Sequence, residues 1–182
     1  MTETVTQTVT AAAPTPAPVE ATETASCAST PITNPLNGTI PIPVRFADYD
    51  FSDSQFYYTP KETSLDSCVS LNWVLLSGTT GVGKPGATSG SFHETVALIA
   101  DGRLITDPAP ILGREIASVD RIDDSTIRVN YLFYNDKPAA AGDFTPGSAT
   151  FHWDGTQIIV SDNTLPLEQN EIAETLDLSG FQ

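Results

Sequence analysis

Positive charge is scarce in this 182-residue sequence: 8 Lys and Arg stand against 23 Asp and Glu, for a formal net charge of -15. With no local excess of cations, the chain has nothing with which to release counterions from a phosphate backbone or an anionic lipid surface, which excludes nucleic acid as a partner. No apolar run of about 18 residues occurs, and the first basic residue is Arg45, so neither a membrane span nor the charged start of a signal peptide is written here. Cysteine is limited to Cys27 and Cys68. They form no Cys-x-x-Cys pair, which excludes a dithiol redox motif, and with no neighbouring histidines they make a poor zinc set. Long amphipathic helices are also missing, and a doubly wound parallel sheet needs them for its crossovers.

What is present is unevenly distributed. Residues 1–44 hold 7 of the 14 prolines and 11 threonines but no Lys, Arg or aromatic side chain. So little bulky apolar surface does not offset the entropy of ordering a backbone, and the segment reads as a disordered Thr/Pro-rich tether. The rival reading is a strand added to the edge of the folded part. Residues 45–166 read as a single domain, large enough for one core. Residues 167–182 read as an acidic tail or a short frayed helix, with Ile172 and Leu176 at i, i+4 spacing.

Strand signals dominate the middle. In residues 126–134, Ile127, Val129, Tyr131 and Phe133 alternate with polar partners, the period of a half-buried strand. Similar stretches begin at Val69, Phe92, Arg114, Ser148 and Thr156. Asp101-Gly102 and Asp154-Gly155 supply the positive φ of tight hairpin turns, and residues 123–125 read as a slightly longer connection. Successive hairpins predict a mainly β, antiparallel domain with little helix, the alternative being α+β. The one helical signal, Thr59-Pro60-Lys61-Glu62, has the form of a capping box and predicts a turn of helix toward Asp66.

Three features suggest chemistry. Residues 78–85 match both glycines and the Lys of a phosphate-binding loop, but Pro85 stands where the magnesium-binding hydroxyl belongs and no helix follows. A flexible hairpin loop is the better reading. The two histidines, His93 and His152, could serve a hydrolase only beside a nucleophile and an acid, and no Gly-x-Ser-x-Gly or His-Glu-x-x-His spacing supports that. His152 should face away from Phe151 and Trp153. The segment 46–58 carries six aromatics with Asp48, Asp50 and Asp53. Such rings and carboxylates could stack on sugars or meet a protein, although core packing is the simpler account; calcium is a weaker thought, because the glycine and bidentate glutamate of a calcium loop are missing. No catalytic, metal-binding or cofactor-binding residue is assigned.

With the strands placed, a family pattern emerges. Residues 65–68 (Leu-Asp-Ser-Cys) and 71–74 (Leu-Asn-Trp-Val) are followed by 93–103, 123–126, 129–131 and Phe151-His152-Trp153-Asp154-Gly155. In that order these blocks resemble the LppP/LprE lipoproteins of actinobacterial envelopes, over residues 65–166. The resemblance implies an extracytoplasmic protein held by an anchor upstream of Met1, and no established reaction. It departs from the pattern at Thr24-Ala25-Ser26-Cys27, where a polar, acidic segment replaces the apolar stretch of a lipobox. The oxidising compartment so implied permits a Cys27–Cys68 disulfide pinning the tether to the domain; two free thiols are the alternative. The expected function is a monomeric, non-catalytic envelope domain binding an envelope protein or a glycan. An envelope hydrolase using His93 or His152 and a structural spacer are the alternatives.

Overall fold

A computed structural model describes residues 31–38, 40–45, 53–134, 143–166 and 174–181. Among these residues ten strands run in chain order: β1 Ile42–Arg45, β2 Ser54–Ser64, β3 Leu71–Val82, β4 Phe92–Ala100, β5 Arg103–Leu104, β6 Glu115–Asp123, β7 Thr126–Tyr134, β8 Phe144–Trp153, β9 Ile158–Ser161 and β10 Thr175–Leu176. Every strand pairing is antiparallel. The mainly β expectation is met, and the strands divide between two sheets, ordered β10-β1-β2-β3-β4-β5 and β6-β7-β8-β9.

The two sheets share one core. Leu71, Trp73, Leu75, Val96 and Leu98 meet Ile127, Val129, Tyr131, Phe133 and Phe151 between them. The four residues that define the alternation in β7 are all buried there. The opposite face of the six-stranded sheet builds a second core from Ile42, Val44, Phe56, Val74, Leu76, Ala97, Ile99 and Leu176, closed by Leu36, Leu112 and Leu178. One face of six strands converging on one cluster is the geometry of a sheet curled into a half-barrel. Both faces of β3 and β4 are therefore covered, and these strands read as nearly continuous apolar runs for that reason.

Several expectations need correcting. Leu36 and Ile42 are fully buried and β1 lies between β10 and β2, so the folded part begins before Arg45; residues 1–30 lie outside those described. At the other end, Leu176 belongs to a strand, with Val44 opposite it, and Ser179–Phe181 form a 3-10 turn. Ile172 lies outside the described residues. The capping-box sequence is not helical: Thr59 to Glu62 run through β2, with a bulge between Pro60 and Glu62. Beyond Phe56, β2 has no β1 residue opposite it, so on that side a proline removes no ladder bond. The turns are also exchanged in length. Asp123 faces Thr126 across a two-residue turn, with Asp123 Oδ1 accepting the Ser125 N–H at 2.8 Å. Trp153 faces Ile158 across four residues, and there only Gly155 has positive φ. The Asp101-Gly102 turn is as expected, with φ of 48° and 75°.

Candidate functional site

Among the described residues, the strands bring the 101–102, 124–125 and 154–157 turns to one end of the molecule and the 83–91 connection to the other. At the turn end the Leu71 N–H donates to the Asp124 carbonyl at 3.0 Å and joins the two sheets, while within each sheet the Asp101 N–H donates to Ser70 at 3.0 Å and the Trp153 N–H to Ser125 at 2.8 Å. Arg121 adds a side-chain clasp, donating to the Leu71 carbonyl at 2.9 Å. Connections anchored in this way hold their side chains in fixed positions, the usual foundation of a binding site on loops.

Between the 101–102 and 154–157 turns opens a cleft of about 870 Å³. Ala100 and Leu104 form its buried lining, Ile105, Trp153 and Phe181 are half-buried, and Thr33, Asp101, Arg103 and Thr156 stand exposed in it. The Trp153 Nε1–H donates to Asp101 Oδ2 at 3.1 Å, tying the second sheet to the first. Thr156 is set by Asp154, whose Oδ1 accepts the Thr156 N–H and hydroxyl, both at 2.8 Å, and the Gln157 N–H at 2.9 Å. Those donors hold the Asp154 carboxyl down at about 2. The Arg103 guanidinium has no partner among the described residues. The two Asp-Gly pairs are legible in the sequence as turn formers, whereas the cleft between them is not. The available signal was Trp153 directly before one of them.

Neither histidine is wired for hydrolysis. His152 faces away from the inter-sheet core, as expected, and its Nδ1 lies 2.9 Å from Thr126 Oγ1 and 3.5 Å from Ser125 Oγ. Asp123 is adjacent, so a Ser, a His and an Asp are together, but Ser125 Oγ donates to Asp123 Oδ1 at 3.0 Å. In a catalytic triad the carboxylate orients the imidazole and the imidazole takes the serine proton; here the carboxylate takes it directly. His93 is 7% exposed and lies on the half-barrel side of β4. Its Nδ1 has no hydrogen-bond partner, and its Nε2 lies 3.7 Å from Glu174 Oε2. Burial, then the Arg114 charge, pushes its pKa down to about 4, against the pull of the Gly113 and Gly90 carbonyls. Burial pushes the Glu174 carboxyl up. No hydroxyl or thiol bonds to this imidazole among the described residues.

The neighbouring side chains are structural. Arg114 lies over Phe92 at 4.5 Å and against Tyr134 and Phe144 at 5.7 and 5.8 Å, a cation held among rings. Glu94 is 2% exposed and accepts Lys61 Nζ at 2.8 Å and the Ile116 N–H at 3.0 Å. Gly78, the first motif glycine of the phosphate-loop-like sequence, lies inside β3 opposite Tyr58, and the second, Gly83, directly follows the strand with a φ of 69°, so no glycine cradle forms there. Phe56 and Tyr58 stack at 5.9 Å at the second core, which accounts for this end of the aromatic segment by packing. Asp48 and Asp50 lie outside the described residues. Asp53 is exposed, and no group of three or more metal-ligating side chains occurs among the described residues.

Cys68 sits in a fixed turn. Its N–H donates to Asp66 Oδ1 at 2.8 Å, and the buried Asn72 accepts the Asp66 N–H and donates to the Asp66 and Val69 carbonyls. Cys27 lies outside the described residues.

Neither a curated protein nor a solved structure matches the chain. A family model, described as LppP/LprE lipoprotein, matches residues 63–156, from the end of β2 through the turn after β8. That span is more than half of the sequence and includes Asp101, Arg103, Trp153 and Thr156 of the cleft. The chain belongs to the LppP/LprE lipoprotein family, and its two-sheet β domain is that of a cell-envelope lipoprotein.

Proposed function

We propose that the protein is a non-catalytic binding domain, carried outside the membrane on the Thr/Pro-rich tether, and that it engages an envelope partner through the cleft between the 101–102 and 154–157 turns. One observation carries the reading: apolar, acidic, cationic and hydroxyl groups converge in a concave site on turns cross-bonded between two sheets. The wiring of His93 and His152 lends the hydrolase alternative no comparable support.

Photo-crosslinking in intact cells tests it. A photoreactive residue at position 156 is expected to give a discrete adduct, and one at the exposed position 62, at the bulge of β2, none. Equal labelling from both positions, or no adduct from 156, overturns the reading.

The Cys27–Cys68 bridge belongs to the same proposal. Cys68 and residues 31–33 line one hollow, and Pro31 stands only four positions after Cys27. Four extended residues reach about 14 Å, ample for a bridge. Titration in denaturant without reductant should find no reactive thiol; two reactive thiols per chain would refute the bridge. Attachment of the tether to the membrane is proposed to lie upstream of Met1, as a lipid or a span.

A further inference from the structure

We propose that the ligand of this cleft is a neutral saccharide, one or two rings of a longer glycan. The inference rests on the cleft being the binding site and assigns the chemical class that fits it. Trp153 has committed its N–H to Asp101, so what it offers a ligand is its ring, one part packed on the inter-sheet core and another lining the cleft. Asp101 has committed one carboxylate oxygen to Trp153 and keeps the other as an acceptor. The Arg103 guanidinium has no partner among the described residues and presents its N–H donors. Thr156 Oγ1 donates its hydrogen bond to Asp154, which leaves its lone pairs as an acceptor. An apolar face, acceptors and a forked donor within one cleft match a ligand that alternates C–H faces with hydroxyls. The cleft size also falls within the range of small-ligand sites, about 300–1,000 Å³.

Other ligand classes fit less well. An acyl chain needs a lining without charge, whereas Asp101 and Arg103 both stand in this one. An extended peptide docks by adding a strand to a sheet edge, and the edge here, β5, is only Arg103–Leu104. A phosphate or uronate would meet the Asp101 carboxylate two residues from Arg103, the only cation among the described lining residues.

The sequence holds two indoles, Trp73 and Trp153, so a ¹⁵N-labelled full chain has two indole N–H signals, assignable with Trp153→Phe. The probes are neutral hexose and pentose oligosaccharides, a hexuronate oligomer, a short-chain detergent below its micelle concentration and an apolar peptide. A neutral oligosaccharide is expected to move the Trp153 signal and leave that of the buried Trp73 in place. Arg103→Gln should weaken the response by about tenfold, and Thr33→Arg, which fills the cleft from its exposed wall, should abolish it while the remaining amide spectrum reports an intact fold. A response only to hexuronate, detergent or peptide, or none to any saccharide, overturns the inference. If crosslinking from position 156 persists in that case, the cleft remains a binding site and the saccharide class alone fails; if both are silent, both readings fail.

Discussion

His93 and Glu94 are neighbours in sequence, but strand alternation delivers them to two different interiors. Glu94 enters the inter-sheet core with a Lys and a backbone N–H to satisfy it, whereas His93 enters the half-barrel side with one ring nitrogen unpartnered. The consequence is a pH-dependent stability. The folded chain holds the imidazole neutral down to about pH 4, while in the unfolded chain it protonates near its ordinary 6.5. Above pH 6.5 both states are neutral and nothing is lost. Between about 6.5 and 4 the unfolded state alone gains a proton, so stability falls by up to about 1.4 kcal/mol per pH unit. Glu174 and Arg114 face the same ring, and the raised Glu174 carboxyl opposes the slope, because it lets the folded state hold a proton that the unfolded state has released. Urea unfolding of the parent and His93→Gln across this range should show the parent losing more stability toward acid. Parallel curves would remove His93 as the cause.

At the scale of the element, the pairing of β2 with β3 depends on one residue without a side chain. A Cβ at Gly78 would lie 2.1 Å from the Tyr57 carbonyl oxygen and 2.7 Å from Tyr58 Cα, both backbone atoms that cannot rotate away. Gly78→Ala should therefore cost about 3 kcal/mol or more. Gly102→Ala meets nothing within 4 Å and carries only the strain of its φ of 75°, about 1–2 kcal/mol. The ratio of the two losses, read from urea midpoints, checks the assignment, and equal losses would contradict it. Sequence legibility divides along the same elements. The stretch expected from Phe92 became β4, and the 126–134 alternation became β7 residue for residue, because each has neighbours in sequence and a clear apolar pattern. β2 was hidden because Pro60, Lys61 and Glu62 mimic a helix start at a place where the strand runs unpaired on one side. The cleft was half-legible. Its turns were read, but the Trp153–Asp101 contact joins residues 52 apart on different sheets, and no local pattern reports such a meeting.

For the whole molecule, the last described residues matter as much as the central strands. β10 pairs with β1, Leu176 and Leu178 are buried in the second core, and Arg45 pairs with Asp177 across 132 positions of sequence. The Ser179 hydroxyl, with Arg45, holds the Asp177 carboxyl down at about 2. Ending the chain after Glu174 removes two buried leucines, at roughly 2–3 kcal/mol each, and uncovers β1. The shortened protein should melt well below the parent or fail to fold, as followed by circular dichroism; an unchanged midpoint would mean that this end is ornamental. The β1–β10 pairing also sets an order in time. A chain emerging from a ribosome or a translocation channel can form the β3–β4 and β7–β8 hairpins early, yet β1 must wait for its second neighbour until Thr175 and Leu176 appear. The half-barrel is thus closed only once Thr175 and Leu176 have emerged, and until then the chain carries an unclosed sheet edge.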